Sequence, residues 1–307
     1  MKKIFIISCL FLLIFSLQGC KIRELFDQNN HNNKNNNTKD NQIQNLEKID
    51  EELDDRLLID KEGKTLMDRI LTPKGYIRVI SDESSLSRFI RHFEMTKDGS
   101  NVKLFNGKDK EKQDSHVAIF NLSLENYDYQ QSAESVIRMY AEYYMSIKQY
   151  DKISVKIQND FDANYGIWRK GNRFKSLVRE FIWIMDDRAN DSDESYKEYL
   201  KTVFSYVGPD TIYKDSVEVT SDKIEVGDIL IKAGNDGHVI MVVDVCTNVK
   251  GEKAFLLAQG GVPAQEFYVL KNPAHLDDPW YYVNEINYPL KTPEFTFEKG
   301  SLRRPNF

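Results

Sequence analysis

The stretch Gly227-Asp228-Ile-Leu-Ile, followed by Gly237-His238-Val-Ile-Met-Val-Val-Asp244, puts a histidine at the mouth of an unbroken apolar run. An imidazole is expensive to bury and adds little to packing there, so its titratable nitrogens invite a chemical reading. Gly237 in front of it permits close backbone approach. A hairpin over Asn248-Val-Lys-Gly251 that pairs Thr247 with Glu252 sets Ile240 opposite Gln259, on the face that His238 shares. Gln259 then lies diagonal to His238, within reach of one ring nitrogen. Such a bond fixes the tautomer and leaves the other nitrogen as a base, which is the base-and-orienter half of a hydrolase triad. A hydrogen-bonded histidine at a strand edge, without chemistry, fits the same residues.

Other chemistries fit less well. The five histidines have neither His-x-x-x-His nor His-x-His spacing, which argues against zinc. Asp160-Phe-Asp162-Ala-Asn164-Tyr-Gly166 begins like a calcium loop, but its glycine is one place late and Gly171 stands where a bidentate Glu belongs. No phosphate loop, dinucleotide fingerprint or Gly-x-Ser-x-Gly elbow occurs, so neither a metal nor a cofactor is expected. Cys246 sits inside an apolar strand and reads as core. Trp168, Trp183, Trp280, Tyr281 and Tyr282 suit either a glycan or peptide groove or the core. With 42 Lys+Arg against 48 Asp+Glu and a net charge of −6, the chain is a poor partner for nucleic acid.

The elements that must hold these residues are legible in outline. Gly75–Ile80 alternates as a strand, and Ser84–Phe93 carries Leu86, Phe89, Ile90 and Phe93 at helical spacing. Val102–Phe105 and His116–Leu124 read as strands. The clearest helix runs from Tyr129 to Lys148, with Ala133, Val136, Ile137, Tyr140, Ala141 and Tyr144 on one face. Ser154–Gln158 reads as a strand and Trp168–Phe174 as a loop. Glu194–Val207 reads as a helix stopped by Gly208-Pro209. Beyond it, Val226–Ile231, Val239–Cys246, Ala254–Gln259 and Phe267–Leu270 are short β-rich runs, and the Pro-containing segment from Tyr281 should wrap the surface. The fold class is α+β, with N-terminal helices packed on a C-terminal antiparallel sheet.

Two resemblances sharpen this. Gly-Asp-(apolar)₃ before Gly-His-(apolar)₄ resembles the histidine strand of papain-like cell-wall amidases of the NlpC class, over about 35 residues. A wider set is similar to an uncharacterised bacterial family, domain of unknown function 4846. It comprises Tyr129-Gln-Gln-Ser-Ala-Glu-Ser-Val-Ile-Arg-Met-Tyr-Ala-Glu-Tyr143, Gly227-Asp228, Gly237-His238, Phe255-Leu-Leu-Ala-Gln259, Pro263-Ala-Gln265, Lys271-Asn-Pro273, Pro279-Trp280-Tyr281 and Leu302-Arg303-Arg304. In that family the helix begins Gln-Gln-Cys-Ala-Asp-Ala, so this chain has Ser132 at the cysteine. Papain-like enzymes set the nucleophile at a helix N-terminus, where the dipole favours a thiolate. The resemblance therefore implies a papain-like architecture with Ser132 at the nucleophile position, His238 as base and Gln259 as orienter. Gln131 or a backbone amide would hold the oxyanion, and Gln265 and Trp280 are candidate binding residues. Three roles fit Ser132: an N-cap, a remnant without nucleophilicity, or a working nucleophile. The implied protein is an amide hydrolase of weakened or lost activity, acting if at all on a peptidoglycan stem peptide, or a non-catalytic module that binds a peptide, a glycan or a partner protein.

The first residues carry an address. Lys2 and Lys3 precede the apolar Ile4–Leu17, too short to span a bilayer, and the run ends in Leu17-Gln18-Gly19-Cys20. Leu-x-Gly-Cys resembles the bacterial lipobox, which implies cleavage before Cys20, acylation of its thiol and anchoring to a membrane on the extracytoplasmic side, in the cell envelope. Nine of the eighteen residues in Gln28–Asn45 are Asn, a composition with too little apolar surface to fold, so residues 20–48 read as a tether before a single domain at 49–307. With one cysteine beyond Cys20, no internal disulfide framework is expected.

Overall fold

The computed structural model describes residues 57–178, 180–186 and 188–307. The expected signal peptide, the Cys20 expected to be acylated and the Asn-rich stretch expected to be a tether lie outside these residues.

Chain order begins with α1 (Leu66–Arg69), β1 (Tyr76–Arg78), α2 (Leu86–Arg91), β2 (His116–Ile119) and the long helix α3 (Ser132–Ser146). Ser85 caps α2 by accepting from the Arg88 N–H, as the serines before the apolar period predict. A small hairpin, β3 (Ser154–Lys156) with β4 (Asp162–Asn164), leads through α4 (Tyr165–Trp168) to a second, β5 (Asn172–Leu177) with β6 (Glu180–Met185). Then come α5 (Asp193–Phe204), α6 (Pro209–Lys214), β7 (Ser216–Glu218), β8 (Ile229–Lys232), β9 (His238–Asn248), β10 (Lys253–Gln259), β11 (Tyr268–Leu270) and β12 (Tyr281–Tyr282). A last hairpin, β13 (Leu290–Lys291) with β14 (Thr296–Phe297), precedes β15 (Leu302–Pro305).

The main sheet is antiparallel and nine-stranded, in the order β2-β11-β10-β9-β8-β15-β7, with β1 on β9 and β12 on β10. The fold is thus α+β around one large antiparallel sheet. Segregation of helices before strands is incomplete, because β1 and β2 come from the N-terminal part and join the sheet. Two cores flank it. Along β9, Val239, Met241 and Val243 join the helix-side core, and Ile240 and Val242 the opposite one. That alternation explains a strand apolar at nearly every position: both faces are covered. Ala133, Val136 and Ile137 give α3 its buried stripe, on the same side as Val239 and Met241.

Several local expectations fail: Val102–Phe105 forms only isolated bridges, Lys103 with Asp109 and Leu104 with Gln265, and the segment from Tyr281 returns to the main sheet as β12 and β15. Pro209 starts α6 instead of only stopping α5, since its fixed φ and missing N–H suit a first helical position. The stretch Trp168–Phe174 is not a loop: Trp168 closes α4, and Phe174 lies in β5 opposite Trp183 of β6. No Gly, Pro or Asn marks the turn after Leu177, so nothing local announces that hairpin.

The hairpin that sets the site register is also displaced. Asn248 stays in β9 opposite Tyr76, and its side-chain oxygen accepts from the Lys250 and Glu252 N–H groups, so the loop runs one residue later than expected. Thr247 therefore faces Lys253. A bulge on the β9 side between Asp244 and Val242 removes the slip, and Ala258 meets Met241 in the register first derived.

Candidate functional site

His238 opens β9 and Gln259 ends β10, and the corrected register brings them together: His238 Nε2 lies 2.9 Å from Gln259 Oε1. The Gln259 amide is oriented by its other end, which donates to Glu294 Oε2 at 2.8 Å and to the Tyr268 hydroxyl at 2.8 Å. A carboxylate only accepts, so the amide oxygen must face the imidazole, and His238 must carry its proton on Nε2. That leaves Nδ1 as the unprotonated nitrogen. Burial depresses the His238 pKa to about 4, against weaker opposing contributions from the Gln259 hydrogen bond and the Glu294 charge. The ring is neutral at physiological pH.

Ser132 reaches the same place from α3. It is the first helical residue; Gln131 is the N-cap. Its hydroxyl serves no turn of its own helix but accepts from the Val239 N–H at 3.4 Å, across to the strand. The capping role weighed for Ser132 therefore falls to its neighbour, whose N–H donates to Glu134 Oε2 at 3.1 Å. Close approach depends on Gly260, immediately after Gln259: a Cβ there would stand 2.3 Å from Ser135 Oγ and 2.9 Å from the Gln131 carbonyl oxygen. The helix start is laid against a bare backbone.

The three residues converge but are closed off. Ser132 is 2 %, His238 1 % and Gln259 0 % exposed. The lid is the tip of the β13–β14 hairpin. Phe295 stacks on the imidazole with centroids 3.6 Å apart and planes 12° from parallel. Glu294 beside it accepts from Gln259, from the Tyr268 hydroxyl at 3.1 Å and from Lys110. Burial raises the Glu294 pKa, but the bonds from Lys110, Ser115 and Tyr268 and the Lys110 charge outweigh it and hold the carboxyl below its ordinary value. It is an anion pinning the tip down.

The other candidates divide. Gln265 joins the network, its amide nitrogen 3.3 Å from the Tyr268 hydroxyl, in a space kept by Gly261. Gln131 stands at the helix start with its amide nitrogen on Asp128 Oδ1 at 3.1 Å. Trp280 is elsewhere: it is fully buried, and its indole N–H donates to the Leu71 carbonyl oxygen at 2.9 Å, which makes it a core residue. Cys246 is buried, and burial pushes its thiol well above the ordinary range. Asp228, from the Gly227-Asp228 motif, does no chemistry at this site; it takes Arg304 Nε at 2.7 Å and Nη2 at 3.0 Å, tying β15 to the start of β8. Among the described residues, no cluster of three or more His, Cys, Asp or Glu is arranged to hold a metal, and no helix is long and apolar enough to cross a membrane. Sequence reasoning missed Glu294, Phe295, Tyr268 and Lys110, which approach from three separate segments without any shared spacing.

A family model spans residues 66–304, from α1 to β15, and so covers every residue of this network. The chain belongs to the family of domain of unknown function 4846. No curated protein and no solved structure matches it. For this member of the 4846 family, then, the site itself is the guide to function. The family's matched span contains both the converging residues and the hairpin that covers them.

Proposed function

We propose that this member of the 4846 family is a cell-envelope lipoprotein with a papain-like amidase architecture that no longer turns over substrate and serves as a binding module. One observation carries the reading: the helix-start serine reaches the backbone N–H of Val239, next to the strand histidine, the histidine is oriented through Nε2 by Gln259, and Phe295 seals the imidazole. The order of nucleophile position, base and amide orienter along the chain is that of papain-like enzymes. Serine in place of thiol removes the accessible anion, and a neutral, capped imidazole with its pKa near 4 is a weak base toward a hydroxyl. The site is thereby a structural inheritance, and the working surface is whatever the domain presents around it.

Thiol chemistry tests the loss of turnover. The Ser132→Cys variant, compared with the parent as a baseline for Cys246, is expected to react with iodoacetamide at neutral pH at least about tenfold more slowly than free cysteine. Faster reaction than free cysteine, abolished by adding His238→Ala, would instead establish a latent amidase site. The anchor has its own test, motivated by Leu17-Gln18-Gly19-Cys20 closing a short export segment. Radiolabelled fatty acid should enter the parent protein and vanish in Cys20→Ala; label that persists, or a parent that takes none, removes the lipoprotein reading.

A further inference from the structure

At the opposite end of α3 from Ser132, about 20 Å along the helix axis, lies a hollow of about 470 Å³. Lys148, Lys152, Arg169 and Lys170 line it around Asp151 and Gly166. In a chain of net charge −6, four cations facing one carboxylate run against the overall balance. Cations gathered this closely repel unless something offsets them.

The residues themselves supply only part of that offset. Arg169 Nη2 meets Asp191 Oδ2 at 2.9 Å, and its guanidinium lies 4.1 Å over the Tyr150 ring. Its Nε is nevertheless buried with no hydrogen-bond partner among the described residues. A guanidinium held on one side with an orphaned Nε is left short of negative partners. Lys148 has a local reason to be a cation, because it follows the negative end of α3, in a left-handed conformation at φ 58° where glycine is usual. Lys152 ends a single 3₁₀ turn and Lys170 follows the four-residue α4, both too short for much of a dipole, and neither forms an ion pair with another described residue. Gly166 shapes the floor. A Cβ there would come within 1.9 Å of Asp151 Oδ1, so the glycine lets the lone carboxylate sit back against the chain.

We propose that this hollow binds a phosphate group, with the three lysines and the Arg169 guanidinium that line it supplying charge. Phosphate matches the lining because it offers several acceptor oxygens and no carbon surface, and the cations present only donors. The group can come from a soluble phosphate ester or from the headgroup of an anionic lipid. This site is separate from the Ser132 network and does not depend on the reading given to it.

Calorimetric titration of the full chain carrying Cys20→Ala, so that acylation contributes nothing, tests the proposal with inorganic phosphate as the probe. Saturable millimolar binding is expected, weakened about tenfold when Lys152→Ala and Lys170→Ala are combined. Both side chains are exposed, so the melting temperature of the double variant should match the parent. Equal affinity in parent and variant, or no saturable binding in the parent, overturns the site. Phosphatidylglycerol vesicles then identify the source. Vesicle binding that inorganic phosphate displaces and the double variant lacks assigns the hollow to a headgroup, and phosphate binding without vesicle binding assigns it to a soluble ester. Vesicle binding indifferent to both, with no binding of phosphate, belongs to another surface and refutes the proposal.

Discussion

Replacing Asp244 by alanine is expected to destabilise the domain by about 3–5 kcal/mol, the cost of stripping a buried cation of its partner. Asp244 is fully buried, and its two oxygens take Arg78 Nε at 2.6 Å and Arg91 Nε at 2.7 Å. Arg91 is itself buried, and its Nη2 donates to the Val245 carbonyl oxygen at 3.1 Å. The carboxylate thus joins α2 and β1 to the middle of β9, at the bulge where the strand changes phase. Without it two guanidinium groups are left with no anion, only carbonyl oxygens, the Ser81 hydroxyl and the Trp280 ring beside them. At roughly 2–4 °C per kcal/mol for a domain of this size, the melting temperature should fall by on the order of 10 °C. Arg91→Met in the same background should recover part of the loss, because an apolar side chain of similar length needs no counter-charge. A loss under about 1 kcal/mol in Asp244→Ala would mean that water reaches the arginines.

The second large effect is a pH profile with two opposed slopes. His238 has a folded pKa of about 4 against an ordinary 6.5, so between those values the unfolded chain binds the extra proton. Stability therefore rises with pH through that window, and the full effect is about 3 kcal/mol. Glu134 behaves in the opposite sense. Burial raises its pKa from 4.5 to about 8, with smaller lowering contributions from backbone hydrogen bonds at the helix start. Between those values the folded chain holds the extra proton, and stability falls as pH rises. The two slopes offset one another between about pH 4.5 and 6.5 and leave Glu134 alone above, where the loss to pH 8 is about 2 kcal/mol. Denaturant titrations across pH should show a plateau and then a decline. Relative to Glu134→Gln, the parent should lose about 2 kcal/mol from pH 6.5 to 8; relative to His238→Gln, it should gain about 3 kcal/mol from pH 4 to 6.5. Parallel profiles for parent and variants would show that neither group is desolvated as its burial implies.

What could be read from the sequence, and what could not, follows the reach of each signal. The long helix, the strand of His238 and the strand of Gln259 carry strong periodic patterns, and their residues stand where pattern alone puts them, to within a few positions at the ends. The His238–Gln259 pairing came from a register argument that was wrong by one residue at the loop and right at the site, because the bulge beside Asp244 absorbs the difference. A bulge leaves no mark in composition. The cover was out of reach for another reason. Glu294 and Phe295 lie in a proline-bearing segment that looks like surface wrapping, and only tertiary structure turns its tip onto the imidazole. Trp280 illustrates the converse: an aromatic beside two tyrosines fits a groove or the core, and only the indole N–H spent on the Leu71 carbonyl decides for the core.

The position of β15 has a temporal consequence. It lies between β8 and β7, with Leu302 opposite Leu230, Arg303 opposite Ile229 and Arg304 opposite Val217. Its neighbours are synthesised earlier, β8 by about 70 residues and β7 by about 85, so for that interval each presents an open hydrogen-bonding edge, and Asp228 lacks the cation that meets it in the finished sheet. Until then the sheet has a gap one place in from its end, which β15 fills. A chain stopped before residue 302 is therefore expected to be not merely shortened but sticky, its exposed β8 edge ready to accept a strand from the next molecule it meets.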